Sequence, residues 1–182
     1  MWNLLLNEDE TMITDSVREF LSSELPIERL RPQAAPTDVK RTHNNMVELG
    51  WFGVGLPESV GGTGLGLVEE MLIQRECGRN LVSPTVLATT LAAHVAVHAN
   101  NLDVARDIIT GKLSSALALL ETPESDTKDP LAMALDWNGD DLLLLWNKNG
   151  MGLFDNTAVN TVATAECLEF TLTCIIQTHQ FQ

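Results

Sequence analysis

The chain has 182 residues, 45% of them hydrophobic, and 11 Lys and Arg against 25 Asp and Glu give it a formal charge of −14. That length accommodates one sizeable core or two small ones, and the apolar content excludes a largely disordered chain. The charge excludes phosphate-backbone binding as a main activity, because such affinity comes from Lys and Arg releasing counterions, so nucleic acid is not an expected partner.

No apolar run reaches the roughly 20 residues that a bilayer span needs. The opening Met1-Trp2-Asn3-Leu4-Leu5-Leu6 has neither a basic start nor a long apolar segment, so no membrane association and a cytoplasmic location are expected. Cys77, Cys167 and Cys174 are odd in number and lack CxxC spacing, which speaks for reduced thiols and against a disulfide framework or a structural zinc site.

Asn7 is placed to cap a helix that begins with Glu8, Asp9 and Glu10, where the helix dipole favours negative charge, and Ile13, Val17, Phe20, Leu21 and Leu25 repeat at helical spacing. Pro26 ends that helix. Thr37 or Asp38 starts a second, with Val39, His43, Met46 and Val47 on one face and Gly50 as its stop, and Trp51 and Phe52 then cap a core. From Gly53 to Gly66 six glycines and Pro57 make an ordered loop whose backbone can take positive φ.

A third helix is predicted over 67–79, with Val68, Met71, Leu72 and Ile73 buried and with Glu69, Glu70 and Glu76 on a solvated face, Glu76 pairing with Arg79 at the surface. Pro84 opens a fourth, which carries the small apolar run Val86–Ala99, and Leu102–Thr110 makes a fifth, closed by Gly111. Beyond Lys112 the composition changes: apolar segments at 113–120, 131–137 and 142–146, then Thr-rich, β-branched stretches at 157–164 and 168–176, predict strands. Asn138-Gly139 between two of them is a hairpin signal. The chain therefore reads as α+β, helices first and a small antiparallel β region second, with domains at 1–111 and 112–182.

Several local patterns have a plain structural reading. Gly61-Gly62-Thr63-Gly64 lacks the preceding strand and the GK[ST] of a phosphate loop, so it reads as a turn. His94 and His98 are four apart on one helix, but no third ligand accompanies them, and they read as core or interface residues. Cys77 has no neighbouring His and reads as a small buried filler. Glu121, Glu124, Asp126 and Asp129 lack the spacing and the glycine of a calcium loop and read as a solvated link. No metal site and no catalytic residue is assigned.

The stretch Leu49-Gly50-Trp51-Phe52-Gly53-Val54-Gly55-Leu56-Pro57-Glu58-Ser59-Val60-Gly61-Gly62-Thr63-Gly64-Leu65, followed by Glu76-Cys77-Gly78-Arg79, resembles the N-terminal helical domain of flavin-dependent acyl-CoA dehydrogenases. Ala118-Leu119-Leu120-Glu121 with Pro123 and Ser125-Asp126 is similar to a shortened form of the family's Thr-Glu-Pro-x-x-Gly-Ser-Asp segment. Gly139–Leu145 resembles the hairpin before its Gly-x-Lys-x-x-Ile-x-Asn segment, with Lys148 at the lysine and Trp146 at the glycine.

The resemblance implies FAD as cofactor, bordered by Leu120, Glu121 and Ser125, and an acyl-CoA substrate lined by Thr89, Thr90, Leu91, His94 and Val95. The family's C-terminal four-helix domain, which supplies the glutamate base, is absent from these 182 residues. The resemblance thus implies a component completed by additional chain or by a homo- or hetero-oligomeric acyl-CoA dehydrogenase-like subunit. A non-catalytic assembly or acyl-CoA-binding subunit that has lost the flavin site is the alternative.

Overall fold

A computed structural model describes residues 5–31, 33, 38–120, 131–147, 150–167 and 170–177. The chain divides into two compact units, Met1–Val82 and Ser83–Gln182. Helices precede strands, so the two are segregated along the chain as in an α+β fold. Among the described residues no helix is long and apolar enough to cross a membrane.

The first unit contains α1 (Glu8–Glu24), α2 (Val39–Glu48) and α3 (Leu67–Arg79), joined by short 3-10 turns. Asn7 and Glu10 close a capping box on α1: the Glu10 N–H donates to Asn7 Oδ1 at 2.8 Å and the Asn7 N–H to Glu10 Oε2 at 2.9 Å. Asp38 caps α2. Val17 and Leu21 of α1 and its C-cap Leu25 are buried, as are Met46, Trp51, Phe52, Leu56, Leu72 and Ile73. Phe20 meets Trp51 edge-on at 5.1 Å and His43 stacks on Phe52 at 5.0 Å.

Two helix faces differ from the sequence expectation. On α2 the buried pair is Thr42 and Met46, while Val39, in the first turn, is exposed. On α3, Val68 and Met71 are exposed and the buried face is Glu70, Leu72, Ile73, Glu76 and Cys77. Hydrophobicity assigned that face wrongly because the two carboxylates find partners inside, as described below.

The second unit holds α4 (Pro84–His98), α5 (Leu102–Ile109) and six strands: β1 (Ser115–Leu120), β2 (Leu131–Leu135), β3 (Leu142–Asn147), β4 (Gly150–Asp155), β5 (Val159–Cys167) and β6 (Phe170–Gln177). They form one sheet in the order β4-β3-β1-β2-β6-β5. α4 lies on α5 and on β1, its buried Ala88, Ala92, Ala93 and Ala96 allowing close approach. Ala116, Ala118, Ala132, Ala134, Leu143 and Leu145 make the buried cluster of one sheet face, against which Trp137 and Phe154 pack.

The sheet is mixed rather than purely antiparallel, because β1 and β3 run parallel. The reason lies at Asn138-Gly139. The chain reverses there, but β2 and β3 do not pair with each other as a hairpin would; they flank β1 on opposite sides, so two reversals leave β3 parallel to β1. Asp136, at φ +54°, and Gly139, at φ +90°, widen the turn, and Asn138 Nδ2 donates to Asp136 Oδ1 at 3.1 Å within it. The consecutive strands that do pair antiparallel are β3 with β4, register Asn147↔Gly150, and β5 with β6, register Cys167↔Phe170. The glycine-rich β4, Gly150-Met151-Gly152-Leu153-Phe154-Asp155, carries weak β propensity, and the sequence pattern did not identify it.

Candidate functional site

The glycine loop of the first unit is built by backbone contacts. Thr63 N–H donates to Gly53 O at 3.0 Å, Gly64 N–H to Leu56 O at 2.9 Å and Thr63 Oγ1 to Val54 O at 2.8 Å. A Cβ on Gly62 would lie 2.2 Å from Leu56 O, so glycine is required there by close approach. Buried Glu70 accepts from the Gly55 N–H at 2.8 Å, and Glu69 accepts from the Gly66 N–H at 2.8 Å at the start of α3. The loop is an ordered turn fastened to α3, as its glycine spacing predicts.

Glu76 corrects the surface-pair reading. It is 1% exposed, and three arginines converge on its carboxylate. Arg18 of α1 donates from Nε to Oε2 at 2.9 Å and from an Nη2 to Oε1 at 3.3 Å, Arg75 donates from Nε to Oε1 at 2.9 Å, and Arg79 reaches Oε2 at 3.6 Å. Burial pushes the Glu76 carboxyl up, but the hydrogen bonds from Arg18 and Arg75 and the charges of Arg18 and Arg79 overcome it and hold the group below the ordinary carboxylate range. A carboxylate held ionised and covered by guanidinium groups ties α1 to α3 and is unsuited to proton abstraction. Arg18 falls on the polar face of α1 in the sequence, and only the packing reveals its partner.

In the second unit Thr89, Thr90, Leu91, His94 and Val95 all lie on α4. Thr89 and Thr90 are buried; Leu91, His94 and Val95 are half-buried. The Thr89 hydroxyl bridges to the first residue of β1: it donates to Ser115 O at 3.3 Å and accepts from the Ser115 N–H at 3.1 Å. Thr90 Oγ1 donates to Val86 O at 3.0 Å within the helix. Ser83, the cap of α4, donates to Asp136, which is buried. Leu120 ends β1, while Glu121 and Ser125, together with the acidic link through Asp129, lie outside the described residues.

A second polar group sits where the strands begin. Ser114 Oγ donates to Asp140 Oδ1 at 2.8 Å, and the Asp140 carbonyl accepts from Trp137 Nε1 at 3.3 Å and from Asn156 Nδ2 at 3.2 Å. Burial raises the Asp140 carboxyl above its ordinary range, against the hydrogen bonds from Ser114 and Asn138. These contacts tie the connection before β1 to the turn between β2 and β3 and to the residue after β4. Among the described residues no cluster of His, Cys, Asp and Glu is arranged to hold a metal.

At the other ends of the strands Leu119, Trp146 and Met151 stand side by side on β1, β3 and β4. All three are exposed. Sequence reasoning placed Trp146 only as a departure from a glycine position; the strand register that gives it neighbours has no local signal.

The family model described as acyl-CoA dehydrogenase, N-terminal domain, matches residues 7–105. The chain belongs to the acyl-CoA dehydrogenase family. A benzylmalonyl-CoA dehydrogenase of Aromatoleum aromaticum (strain DSM 19018 / LMG 30748 / EbN1) is 37% identical over 83 residues, 43% of this chain and 21% of that protein. The mitochondrial isovaleryl-CoA dehydrogenase of Bos taurus is 28% identical over 160 residues, 79% of this chain and 36% of that protein. The chain thus spans well under half the length of these curated relatives.

Among solved structures, butyryl-CoA dehydrogenase from Megasphaera elsdenii has a TM-score of 0.70 at 13% identity, covering 97% of this chain and 57% of that one. The ChsE4-ChsE5 complex from Mycobacterium tuberculosis has a TM-score of 0.71 at 14% identity, covering 97% and 56%. At these identities the likeness is one of fold. Acyl-CoA dehydrogenases are flavin-dependent oxidoreductases that generally bind FAD.

Proposed function

We propose that the chain is a component of an acyl-CoA dehydrogenase-like flavoprotein that oxidises the α,β bond of an acyl-CoA thioester, completed by additional chain segments or by a partner subunit of the same family. The observation that carries this reading is the family match over residues 7–105. The presence of a two-component complex, ChsE4-ChsE5, among the fold neighbours supports the partner. In this reading 1–111 is the N-terminal helical domain and 112–182 a partial middle β domain.

FAD, when bound, supplies the acceptor for hydride from the β carbon as a base removes the α proton. For this chain the proposal is that Leu120, Glu121 and Ser125 border the flavin, and that Thr89, Thr90, Leu91, His94 and Val95 line the acyl chain. Apolar and hydroxyl side chains of this kind align a substrate and exclude water; they do not move protons.

The alternative is an assembly or acyl-CoA-binding subunit without flavin. It draws support from Thr89, whose hydroxyl is engaged by the Ser115 backbone, and from Trp146 at a family glycine position. The visible absorption spectrum, taken after incubation with FAD and desalting, separates the two. Flavin carried by the chain, alone or with an acyl-CoA dehydrogenase-like subunit, and acyl-CoA oxidation with an electron acceptor are expected. Protein free of flavin in both settings leaves the assembly reading.

A further inference from the structure

In the turn between β2 and β3, Asn138 directly precedes Gly139 and both are exposed. Gly139, at φ +90°, has nothing within 4 Å of the place a Cβ would take, and among the described residues its N–H has no hydrogen-bond partner. The Asn138 side chain is anchored through Nδ2, which donates to Asp136 Oδ1 at 3.1 Å and to the Asp136 carbonyl at 3.3 Å. Asp136 is buried and also accepts from Ser83, the cap of α4, while the Asn138 N–H donates to Asp140 Oδ2 at 3.4 Å. A neutral amide thus joins two carboxylates, one of which is fastened to α4.

We propose that Asn138-Gly139 is a self-modification site, at which the Asn138 amide converts to aspartate and isoaspartate in the folded chain and loosens the turn from Asp136, and so from the start of α4. The Gly139 nitrogen attacks Asn138 Cγ and closes a succinimide ring; the Cγ–Nδ2 bond breaks, and ammonia leaves with the proton that Gly139 gave up. Water then opens the ring. Attack at Cγ restores the original backbone and leaves aspartate, whereas attack at the Asn138 main-chain carbonyl breaks its bond to Gly139 and routes the chain through Cγ as isoaspartate. Two features of the turn favour the first step: no Cβ screens the attacking nitrogen, and an N–H without a partner forfeits no hydrogen bond on losing its proton. Either product replaces the donor on Asp136 with a negative charge between Asp136 and Asp140, and isoaspartate also lengthens the backbone of the turn. The chemistry is the same with or without flavin.

The test incubates the full chain at mildly alkaline pH, folded and in urea, and follows each peptide by mass for the change from amide to acid, with an isoaspartyl methyltransferase reporting isoaspartate. Asn138 should convert in the folded chain and yield both products. Gly139→Ala should lose most of that conversion; because alanine is strained at φ +90°, Asn138→Gln, whose longer side chain closes the ring poorly, is run beside it and should lose it too. Asn138→Asp, made directly, should melt below the native protein by a margin that narrows as salt is added. Asn138 left intact in the folded chain while it converts in urea overturns the site, as does conversion confined to the sequence's other Asn-Gly pair, Asn149-Gly150, whose asparagine lies outside the described residues. An Asn138→Asp variant that melts with the native protein at low salt overturns the loosening.

Discussion

Arg18 on α1 and Glu76 on α3 lie 58 residues apart in sequence and meet through two hydrogen bonds, Nε to Oε2 at 2.9 Å and Nη2 to Oε1 at 3.3 Å. The carboxylate is buried and the arginines around it are 40–60% exposed, so solvent screens part of the attraction but none of the geometry. Glu76→Ala is expected to destabilise the protein by about 2–4 kcal/mol in urea unfolding, because three guanidinium groups lose their common acceptor. A loss below about 0.5 kcal/mol would make the cluster a surface ornament.

The same carboxylate sets an acid limit. Its folded pKa is depressed below the ordinary 4.5, so its contribution is fully present above that value and is lost as pH falls through the folded pKa. Glu76→Gln should unfold with a shallower acid dependence than the native protein. Superimposable acid profiles would contradict this.

Asp140 has the opposite sign. Burial raises its folded pKa above the ordinary 3.8, so the folded state holds a proton that the unfolded chain has released, and stability falls as pH rises through the interval between the two values. Asp140→Asn keeps an acceptor for Ser114 and removes that slope. Stability measured from below 3.8 up to neutrality should show the variant gaining on the native protein as pH rises.

Two adjacent glycines separate close approach from backbone conformation. Gly62→Ala puts a Cβ 2.2 Å from Leu56 O and 2.7 Å from Gly53 O. A loss of about 3 kcal/mol or failure of the first unit to fold is expected. Gly61 sits at φ +96° with open space around it, so Gly61→Ala should cost only about 1–2 kcal/mol. Thermal melts in which the two variants match would refute the contrast.

Thr89→Val removes both hydrogen bonds to Ser115 and leaves its buried N–H without that acceptor. About 1–3 kcal/mol of stability should go, and Thr89→Ser should retain most of it. A destabilised Val variant identifies Thr89 as a fastening between α4 and β1 whether or not it also lines an acyl pocket; a neutral one removes the fastening.

Cys77 is expected to be chemically silent. Burial first, and the Glu76 charge second, push its thiol up to about 12, so no useful thiolate exists near neutrality. With Cys167→Ser and Cys174→Ser in place, a thiol reagent should label Cys77 only on unfolding; labelling of the folded chain at neutral pH would contradict this.

What the sequence by itself determined was local and periodic. Asn7 as a cap, a second cap at Thr37 or Asp38 of which the structure takes Asp38, Gly50 as a stop, Pro84 at the start of α4 and the change from helical to β composition beyond Lys112 each depend on a few neighbouring residues. The glycine motif identified the family for the same reason, since turn geometry is written in adjacent residues. Tertiary structure alone decided the rest. Glu76 is buried because Arg18, contributed by a different helix, satisfies it; hydrophobic periodicity has no term for a paired carboxylate. Asn138-Gly139 turns the chain, but whether the strands beside it pair depends on β1 entering between them, a non-local choice. Trp146 gains Leu119 as its neighbour from that same insertion, a pairing with no local signal in the sequence.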